Sequence, residues 1–162
     1  MTEPTIIKLD AGESRPTRVP FPPGFQVKVR ADDSGSRFSA LEGRQDIATP
    51  PHVHLEADEW VFVIDGEMEV DIDGLTHRLT AGESALLPHG IPHAMRNVSQ
   101  PPAHTIQVSS PGGWECYLED LFESGDGIRD ENGAPDVARI NEIGARHGIR
   151  YETGAMRLPT VR

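Results

Sequence analysis

The sequence predicts an all-β domain in which short antiparallel strands form a sandwich or a barrel. Segments such as "FQVKVRA" and "EMEVDID" alternate apolar and polar side chains, which is the period-two pattern of a half-buried strand. Turn signals separate the segments, because 16 glycines and 14 prolines are distributed through the 162 residues. Strands that recur about every eight to twelve residues, with turns between them, are typical of antiparallel sandwiches and barrels.

The predicted strands begin at Phe25 and follow one another closely. In chain order they are "FQVKVRA", "RFSALEG", "EWVFVID", "EMEVDID", "LTHRLT", "ALLP", "HAMRNV" and "HTIQVSS". The Asp-Gly pairs at 65–66 and 73–74 are tight-turn signals between consecutive strands. This series indicates a barrel that we expect to span residues 25–112.

The segment "EWVFVID" is apolar on both faces of its predicted strand. Val61 and Val63 point to one side, and the other side carries Trp60, Phe62 and Ile64. A strand that is apolar on both faces needs a cover on each side, and in a small β-domain a second sheet or a second subunit can supply it. Together with the proline-rich N-terminal segment, this pattern predicts a homodimer.

The two ends of the chain differ from the barrel in composition. Residues 1–24 contain five prolines and little periodicity, and we expect an extended arm that lies on the domain or on a partner subunit. Residues 113–162 are expected to form a helical extension packed on the barrel, with helices in "GGWECYLEDLFESG" and "PDVARINEIGARHG". The final "IRYETG" is compatible with a last strand or an arm. The sequence does not decide whether the arm and the tail exchange between subunits.

Composition argues against two classes of partner. A formal net charge of −11 disfavours binding to nucleic acid or to an anionic membrane surface, because both are bound by basic patches. The single cysteine, Cys116, excludes an internal disulfide framework and is compatible with a reducing compartment. We find neither an apolar stretch near the ~20 residues of a membrane span nor the apolar region of a signal peptide. We therefore expect a cytoplasmic protein.

The segment "HVHLEADEWVFV" is the first candidate for a functional site. His52 and His54 are two residues apart, so both imidazoles lie on the same face of a strand. Glu59 leads the next predicted strand, with its side chain on the Val61 and Val63 face, and we expect the three residues on adjacent strands. Two imidazoles and a carboxylate suit iron, manganese, cobalt, nickel, copper or zinc. Taken alone, the pair of histidines is also compatible with the polar rim of a hairpin.

A second segment, "GESALLPHGIPHAMRN", offers a fourth group. Its turn residues are Gly82, Pro88 and Gly90, of which the last can take a positive φ. His93 then stands at the start of the following strand, where its side chain could point into the barrel. Asn97 is interpreted as a turn or hydrogen-bonding residue.

The two segments together resemble the motifs of the cupin superfamily. The first motif has two histidines flanking one residue, a glutamate after three or four more and a glycine after six more. Here these are His52, His54, Glu59 and Gly66, with the four-residue spacing. The second motif is matched at every fixed position by "GESALLPHGIPHAMRN". The resemblance covers roughly residues 25–123. It departs from the pattern where the first motif opens with a glycine, because Asp46 stands at that position.

The resemblance implies a double-stranded β-helix, or jelly-roll barrel, with one divalent transition metal. The implied metal ligands are His52, His54, Glu59 and His93. The other acids and histidines near or outside the motifs are interpreted as turn, structural or surface residues: Glu56, Asp58, His77, His89, His104 and His147. The resemblance does not select one metal, since iron, manganese, nickel, cobalt, copper and zinc all accept these ligands.

The overall layout is most similar to small single-domain cupins of the quercetin dioxygenase-like group. That similarity implies oxygen-dependent ring cleavage of a flavonol or another enolisable aromatic compound, with Glu59 as the general base. We expect an apolar or aromatic substrate and dioxygen as partners, with Val61, Val63 and Met95 lining the substrate site. The chain has only two lysines, both outside the motifs, which weighs against a sugar phosphate.

Two other functions remain open at the level of sequence. One is a non-redox cyclase or isomerase of polyketide-like compounds, in which the metal acts as a Lewis acid. The other is a cupin that binds a small molecule without catalysis. Fold and metal site are better supported than the reaction, because one fold hosts many functions.

Overall fold

The computed structural model describes residues 6–44, 46 and 48–152, and within them ten strands form two antiparallel sheets. The strands are β1 (Phe25–Val29), β2 (Ser39–Arg44), β3 (Ala48–His54), β4 (Asp58–Asp65), β5 (Glu67–Ile72), β6 (Leu75–Thr80), β7 (Ser84–Leu87), β8 (His93–Asn97), β9 (His104–Ser110) and β10 (Ile149–Tyr151). The first sheet has the order β1-β2-β9-β4-β7 and the second β10-β3-β8-β5-β6. The predicted all-β, double-stranded β-helix is confirmed.

Helices occupy the positions between and after the strands. They are α1 (Ala31–Ser34), α2 (Trp114–Glu123), a 3-10 turn (Gly125–Ile128) and α3 (Val137–Ala145). The two late helices are those that apolar spacing predicted. The short helix α1 was not predicted, because its four residues carry no periodicity; the Asp33 carboxylate accepts from the backbone N–H of Arg30 and caps it.

The inner faces of the two sheets form the core. Val61 and Val63 are fully buried and pack with residues of the opposite sheet such as Met68 and Val70. The outer face of β4 is only partly covered within one chain, since Trp60 is 37% exposed and Ile64 42% exposed. As the sequence predicted, Val61 and Val63 therefore lie on one face of β4, and Trp60, Phe62 and Ile64 lie on the other.

A second core cluster joins the late helices to the barrel. It contains the buried residues Leu41, Trp114, Tyr117, Leu118, Ile140, Ile143, Ile149 and Tyr151. β10 pairs with β3, so the chain after α3 adds an edge strand to the second sheet. The described part of "IRYETG" is thus a strand, and its last two residues lie outside the described residues.

The described part of the N-terminal segment lies along its own chain. The backbone N–H of Arg15 donates to the carbonyl of Val27 at 2.7 Å, and Val27 N–H donates to Ser14 Oγ at 2.9 Å. Further along, the backbone N–H of Arg18 donates to a Glu119 oxygen on α2 at 2.9 Å. The segment therefore covers the edge of β1 and reaches the first late helix. Residues 1–5 of the expected arm lie outside the described residues.

The turn between β4 and β5 requires glycine at position 66. Gly66 has φ +81°, in the left-handed region that side chains disfavour. A Cβ there would also lie 2.6 Å from Ser99 Oγ and 2.8 Å from the Cα of Ala103. Both constraints explain the glycine that follows Glu59 in the first motif.

Within the described ranges, every helix is too short or too polar to cross a membrane.

Candidate metal centre

Four buried side chains from the inner faces of the sheets converge on one point. His52, His54, Glu59 and His93 each offer a ligand atom, and these atoms all lie within 4.8 Å of one another. His52 Nε2 lies 3.2 Å from His54 Nε2, while Glu59 Oε2 lies 3.4 Å from His54 Nε2 and 3.3 Å from His93 Nε2. The most exposed of the four residues is His54, at 3%. The structure thus brings together the four residues that the two motifs indicated.

The three histidines come from one sheet and the glutamate from the other. β3 carries His52 and His54, and its neighbour β8 places His93 directly opposite His52. β4, which carries Glu59, lies in the facing sheet between β9 and β7. The expectation that the histidines and Glu59 lie on adjacent strands is therefore wrong. The chain crosses between the sheets after His54, so Glu59 faces the histidines across the barrel interior.

Backbone carbonyls orient two of the imidazoles. Nδ1 of His52 lies 2.9 Å from the carbonyl oxygen of Pro50, and Nδ1 of His93 lies 3.1 Å from that of Ile91. Because a carbonyl only accepts, Nδ1 is the donor in each ring, and the Nε2 lone pair faces the centre. Each acceptor stands two positions before its histidine, with a proline between them whose fixed φ restricts the backbone.

Two of the buried histidines, His52 and His54, are held in their neutral form. Burial lowers the pKa of His52 to about 3, and the neighbouring His93 and His54 lower it further. Burial also lowers the pKa of His54 to about 4, again with a contribution from His93. Neutral imidazole is the form that binds metals, so both rings are ready to act as ligands at pH 7.

The Glu59 carboxylate indicates what the cluster accommodates. Its Oε1 is buried and has no hydrogen-bond partner among the described residues. A buried carboxylate oxygen without a partner is costly unless a cation neutralises it. Three imidazoles and one carboxylate are a donor set that divalent transition metals accept. The residues present therefore fit such a metal ion, and they do not distinguish one metal from another.

Comparison with known proteins gives the family. Residues 43–109 match the family model described as "Cupin domain". The chain contains a cupin domain. The matched segment starts within β2 and ends within β9, so it includes all four residues of the cluster and leaves α2, α3 and β10 outside.

Relatives of the cupin domain include enzymes of different kinds. A quercetin 2,3-dioxygenase of Bacillus subtilis is 39% identical over 72 residues, which cover 43% of this chain and 21% of that protein. A Streptomyces cyaneus protein named polyketide synthase CurC is 37% identical over 60 residues, covering 37% of this chain and 39% of that protein. The chain thus spans well under half the length of these two relatives.

A solved structure shares the fold of the cupin domain. A Klebsiella pneumoniae protein with a double-stranded β-helix domain superposes with a TM-score of 0.50 at 24% identity. The alignment covers 68% of this chain and 92% of that one.

The other acids and histidines near the first motif lie away from the four candidate metal ligands. Asp58 accepts from the ring and the backbone N–H of His89 at 2.7 and 3.0 Å, on the surface. Glu56 is exposed in the turn between β3 and β4. Asp46, which replaces the first glycine of the motif, accepts from the amide of Asn97 at 3.0 Å. That bond joins the start of the first motif to the end of the second.

Aromatic side chains from outside the cupin domain pack against the histidines. The Trp114 ring on α2 stacks on His52, with centroids 5.5 Å apart and planes 14° apart, and lies 4.8 Å from the ring of His54. Tyr151 on β10 stacks on His52 at 5.3 Å. Burial raises the pKa of Tyr151 to about 12, so its phenol stays protonated. The late segment of the chain thus forms a wall of the candidate site.

An apolar cavity of about 210 Å³ extends from this wall into the barrel. Pro50, Met95, Trp114 and Tyr151 line it next to the cluster. On β3 and β8 the lining continues away from the ligand histidines, through residues 48–50 and through 95 and 97. The cavity therefore runs along the strands. The four candidate ligands are not among its lining residues, and the cavity borders them through Trp114 and Tyr151, which stack on His52.

The three residues expected to contact substrate lie in different surroundings. Met95 lines the cavity. Val61 and Val63 are fully buried in the core cluster and are not among the residues that line the cavity. The inner face of β9, which contributes Thr105 and Gln107 to the lining, was not identified from the sequence. Its signal was available, since "HTIQVSS" places polar residues on one face of a strand and apolar residues on the other.

Proposed function

We propose that this protein is a metal-dependent enzyme that acts on an apolar, oxygen-bearing aromatic small molecule. The observation that carries the proposal is the convergence of four buried candidate ligands, with one Glu59 oxygen unpartnered among the described residues, beside an apolar cavity whose lining residues Trp114 and Tyr151 stack on His52. A buried carboxylate oxygen without a partner is costly to maintain. Groups with strongly shifted pKa values, here His52 and His54, cluster at functional sites. An apolar cavity with a few polar groups is the usual form of a small-molecule site.

For the reaction, we infer a dioxygenase that resembles quercetinases. The local identity to the Bacillus subtilis quercetin 2,3-dioxygenase supports this choice. A cavity of about 150 Å³ accommodates benzene, so the 210 Å³ here holds a substituted ring or two fused rings. A three-ring flavonol would extend beyond it. We therefore favour a smaller enolisable aromatic compound over a full flavonol.

The residues of the chain have distinct parts in such a reaction. His52, His54, Glu59 and His93 would hold the metal, which when bound supplies Lewis acidity and, for a redox-active ion, electron transfer toward dioxygen. Glu59 would act as the general base toward an acidic hydroxyl of the substrate through Oε1, which is buried and has no hydrogen-bond partner among the described residues. Trp114 and Met95 border the site with apolar surface that excludes water.

Metal analysis and oxygen uptake test the proposal together. The purified protein should contain about one divalent transition metal per chain, and a substituted naphthol should trigger oxygen consumption in an oxygen electrode. Glu59→Ala should lose both metal and oxygen consumption, while Glu56→Ala, in the exposed turn, should keep both. Metal-free protein whose metal content does not change on adding iron, manganese, nickel or zinc would refute the proposal.

A second candidate reaction is a non-redox cyclisation or isomerisation. The similarity to the Streptomyces cyaneus polyketide synthase protein favours it. Zinc has no redox chemistry, so turnover retained with zinc and without dioxygen would select this reaction over the dioxygenase. Ligand binding that survives Glu59→Ala, without turnover in the parent protein under any metal, would instead identify a cupin that only binds its ligand.

We further propose a homodimer formed by the outer face of the first sheet. Trp60 and Phe62 stack there with ring centroids 5.7 Å apart, and Leu86, directly opposite Trp60, is 59% exposed. Contiguous exposed apolar surface of this kind marks interaction sites, and a two-fold interface uses the same patch twice. Light scattering should give a dimer at micromolar concentration, and Leu86→Lys should give a monomer. A monomeric parent protein would refute the dimer. The cytoplasmic location stays a prediction.

A further inference from the structure

Strand β9 carries its polar side chains inside the barrel. Ser109 pairs with Glu59, Gln107 pairs with Val61, and Thr105 lies opposite Val63. Residues directly opposite on antiparallel strands share a face, so all three β9 side chains face inward. The two outward positions between them, Ile106 and Val108, are apolar. The usual arrangement, with polar residues outward and apolar residues inward, is reversed on this strand.

The inward side chains of β9 have no hydrogen-bond partner among the described residues. In the part of the chain that the structure describes, neither Thr105 nor Gln107 makes a side-chain hydrogen bond, and Ser109 Oγ is buried and unpartnered. Two other polar residues that line the cavity, Thr49 and Asn97, do have hydrogen-bond partners. Thr49 Oγ1 accepts from Met95 N–H at 3.1 Å, and Asn97 is bonded on both sides of its amide. The three β9 residues therefore form a polar stripe whose bonding capacity is unused.

The stripe follows the axis of the cavity. Ser109 stands beside the candidate ligand Glu59, while Gln107 and Thr105 line the cavity beyond it. Inward side chains on one strand are spaced by about 7 Å, so the stripe extends roughly 14 Å from the cluster. The remaining lining is dominated by side chains such as Leu41, Met68, Leu118 and Phe122. The cavity is thus apolar on most sides and can form hydrogen bonds along one.

We propose that the stripe forms hydrogen bonds with oxygen substituents along one edge of a flat aromatic substrate. The Gln107 amide is the main specificity-determining group. This deepens the proposed function and rests on it. An aromatic body matches the apolar walls, and hydroxyl or carbonyl groups on one edge match the amide and the hydroxyls of β9. A site built to hydrogen-bond a substituent strongly rejects the analogue that lacks it, because its own polar groups are then left unpaired.

Unused polar groups in an apolar cavity also cost stability in the ligand-free protein. The alternative, that Gln107 is a structural residue, requires contacts that its removal would destroy. Replacing Gln107 with leucine of similar size distinguishes these cases. A ligand-reading role predicts unchanged or higher stability in Gln107→Leu, and a structural role predicts a loss.

The experiment measures the binding of two probes to the zinc-loaded full chain by equilibrium dialysis. The probes are 1,3-dihydroxynaphthalene and naphthalene, which share a ring system and differ in their oxygens. The parent chain should prefer the dihydroxy compound, and Gln107→Leu should reduce this preference about tenfold, the effect of one hydrogen bond. Gln26→Leu changes the same residue type on the outer face of the same sheet and should leave the preference unchanged.

Two results would overturn the inference. One is a Gln107→Leu protein that keeps the full preference of the parent chain. The other is a thermal midpoint of ligand-free Gln107→Leu that falls by several degrees, with Gln26→Leu unaffected, since this would identify a structural role. Thr105→Val, a substitution of nearly equal shape, should show a smaller loss of preference and guards against misfolding of the first variant. A preserved preference pattern with no turnover under any metal would refute the proposed reaction and leave the stripe intact.

Discussion

Acid should destabilise the metal-free protein well before its carboxylates are protonated. The cause is the depressed pKa of His52, about 3, and of His54, about 4, against about 6.5 in an unfolded chain. Between these pH values the two imidazoles are protonated in the unfolded chain and neutral in the folded chain. The free energy of unfolding therefore falls as pH decreases from 6.5. The loss continues until the folded state also takes up protons, near pH 4 for His54 and pH 3 for His52.

The expected loss is large enough to measure. Each pH unit below the pKa of the unfolded state lowers the free energy of unfolding by about 1.4 kcal/mol for each histidine that stays neutral in the folded state. At pH 5, roughly 1.5 units below that value, each histidine costs about 2 kcal/mol and the pair about 4 kcal/mol. The free energy of unfolding of a domain is commonly only about 5–15 kcal/mol, so the midpoint of urea unfolding should shift to a clearly lower urea concentration. Carboxylates with lowered pKa values, such as Asp33 and Glu42 beside Arg15 and Lys28, act at lower pH.

Urea unfolding of chelator-treated protein at pH 7, 6 and 5 provides the measurement. The free energy of unfolding should fall by about 4 kcal/mol from pH 7 to 5, and His52→Gln should lose about half of this dependence, about 2 kcal/mol. A free energy of unfolding that stays constant between pH 7 and 5 would refute the reasoning, because it would mean that the folded protein accepts protons on both rings.

Three further predictions follow from single contacts. Zinc at about a hundredfold excess over its Kd should stabilise the protein by about 2.7 kcal/mol and raise the Tm by roughly 5–10 °C; calorimetry should show most of this shift lost in Glu59→Gln and kept in Glu56→Gln. Trp114→Ala should cost about 3–5 kcal/mol in urea, because it empties the space over the ligand histidines, and a cost below 1 kcal/mol would contradict the packing. Gly66→Ala should cost about 2 kcal/mol or more, since it combines a positive φ with a Cβ 2.6 Å from Ser99 Oγ; an unchanged urea midpoint would contradict it.

The strands and the four residues of the cluster could be predicted because both depend on local pattern. Period-two alternation indicates a strand wherever one face is buried, and the fixed spacing of His52 and His54 places them on one face. The motif assigns Glu59 as the ligand, and not Glu56 or Asp58, because it fixes the spacing between the glutamate and Gly66. The turn that this glycine forms, with φ +81°, explains physically why the position is restricted.

The sheet to which each strand belongs could not be predicted from local pattern. β3 and β4 are separated by three residues, a length that also suits a hairpin within one sheet. The chain instead crosses between sheets, so Glu59 opposes the histidines instead of lying beside them. Local periodicity fixes the face of a residue within its own strand, and it contains no information on which strand lies across the barrel.

The aromatic wall shows a similar limit. Apolar spacing predicted the helix that carries Trp114, and "IRYETG" was compatible with a strand, but neither pattern indicates what those elements contact. The stacking of Trp114 and Tyr151 on His52 results from long-range packing. It depends on the pairing of β10 with β3, two strands that are about a hundred residues apart in the chain. Contacts of this kind depend on the tertiary fold and not on the local sequence.

Strand β9 connects the two surfaces on which the proposals rest. Its outward residues Ile106 and Val108 lie opposite Phe62 and Trp60, in the face proposed for the dimer. Its inward residues Thr105 and Gln107 line the cavity. Successive side chains point to opposite faces, so a substitution on one face leaves the contacts of the other in place. Dimer formation and ligand preference should therefore respond independently, with Leu86→Lys altering association and Gln107→Leu altering preference. If Leu86→Lys also abolished the preference for hydroxylated rings, the cavity would depend on the dimer, and the site could not be assigned to a single chain.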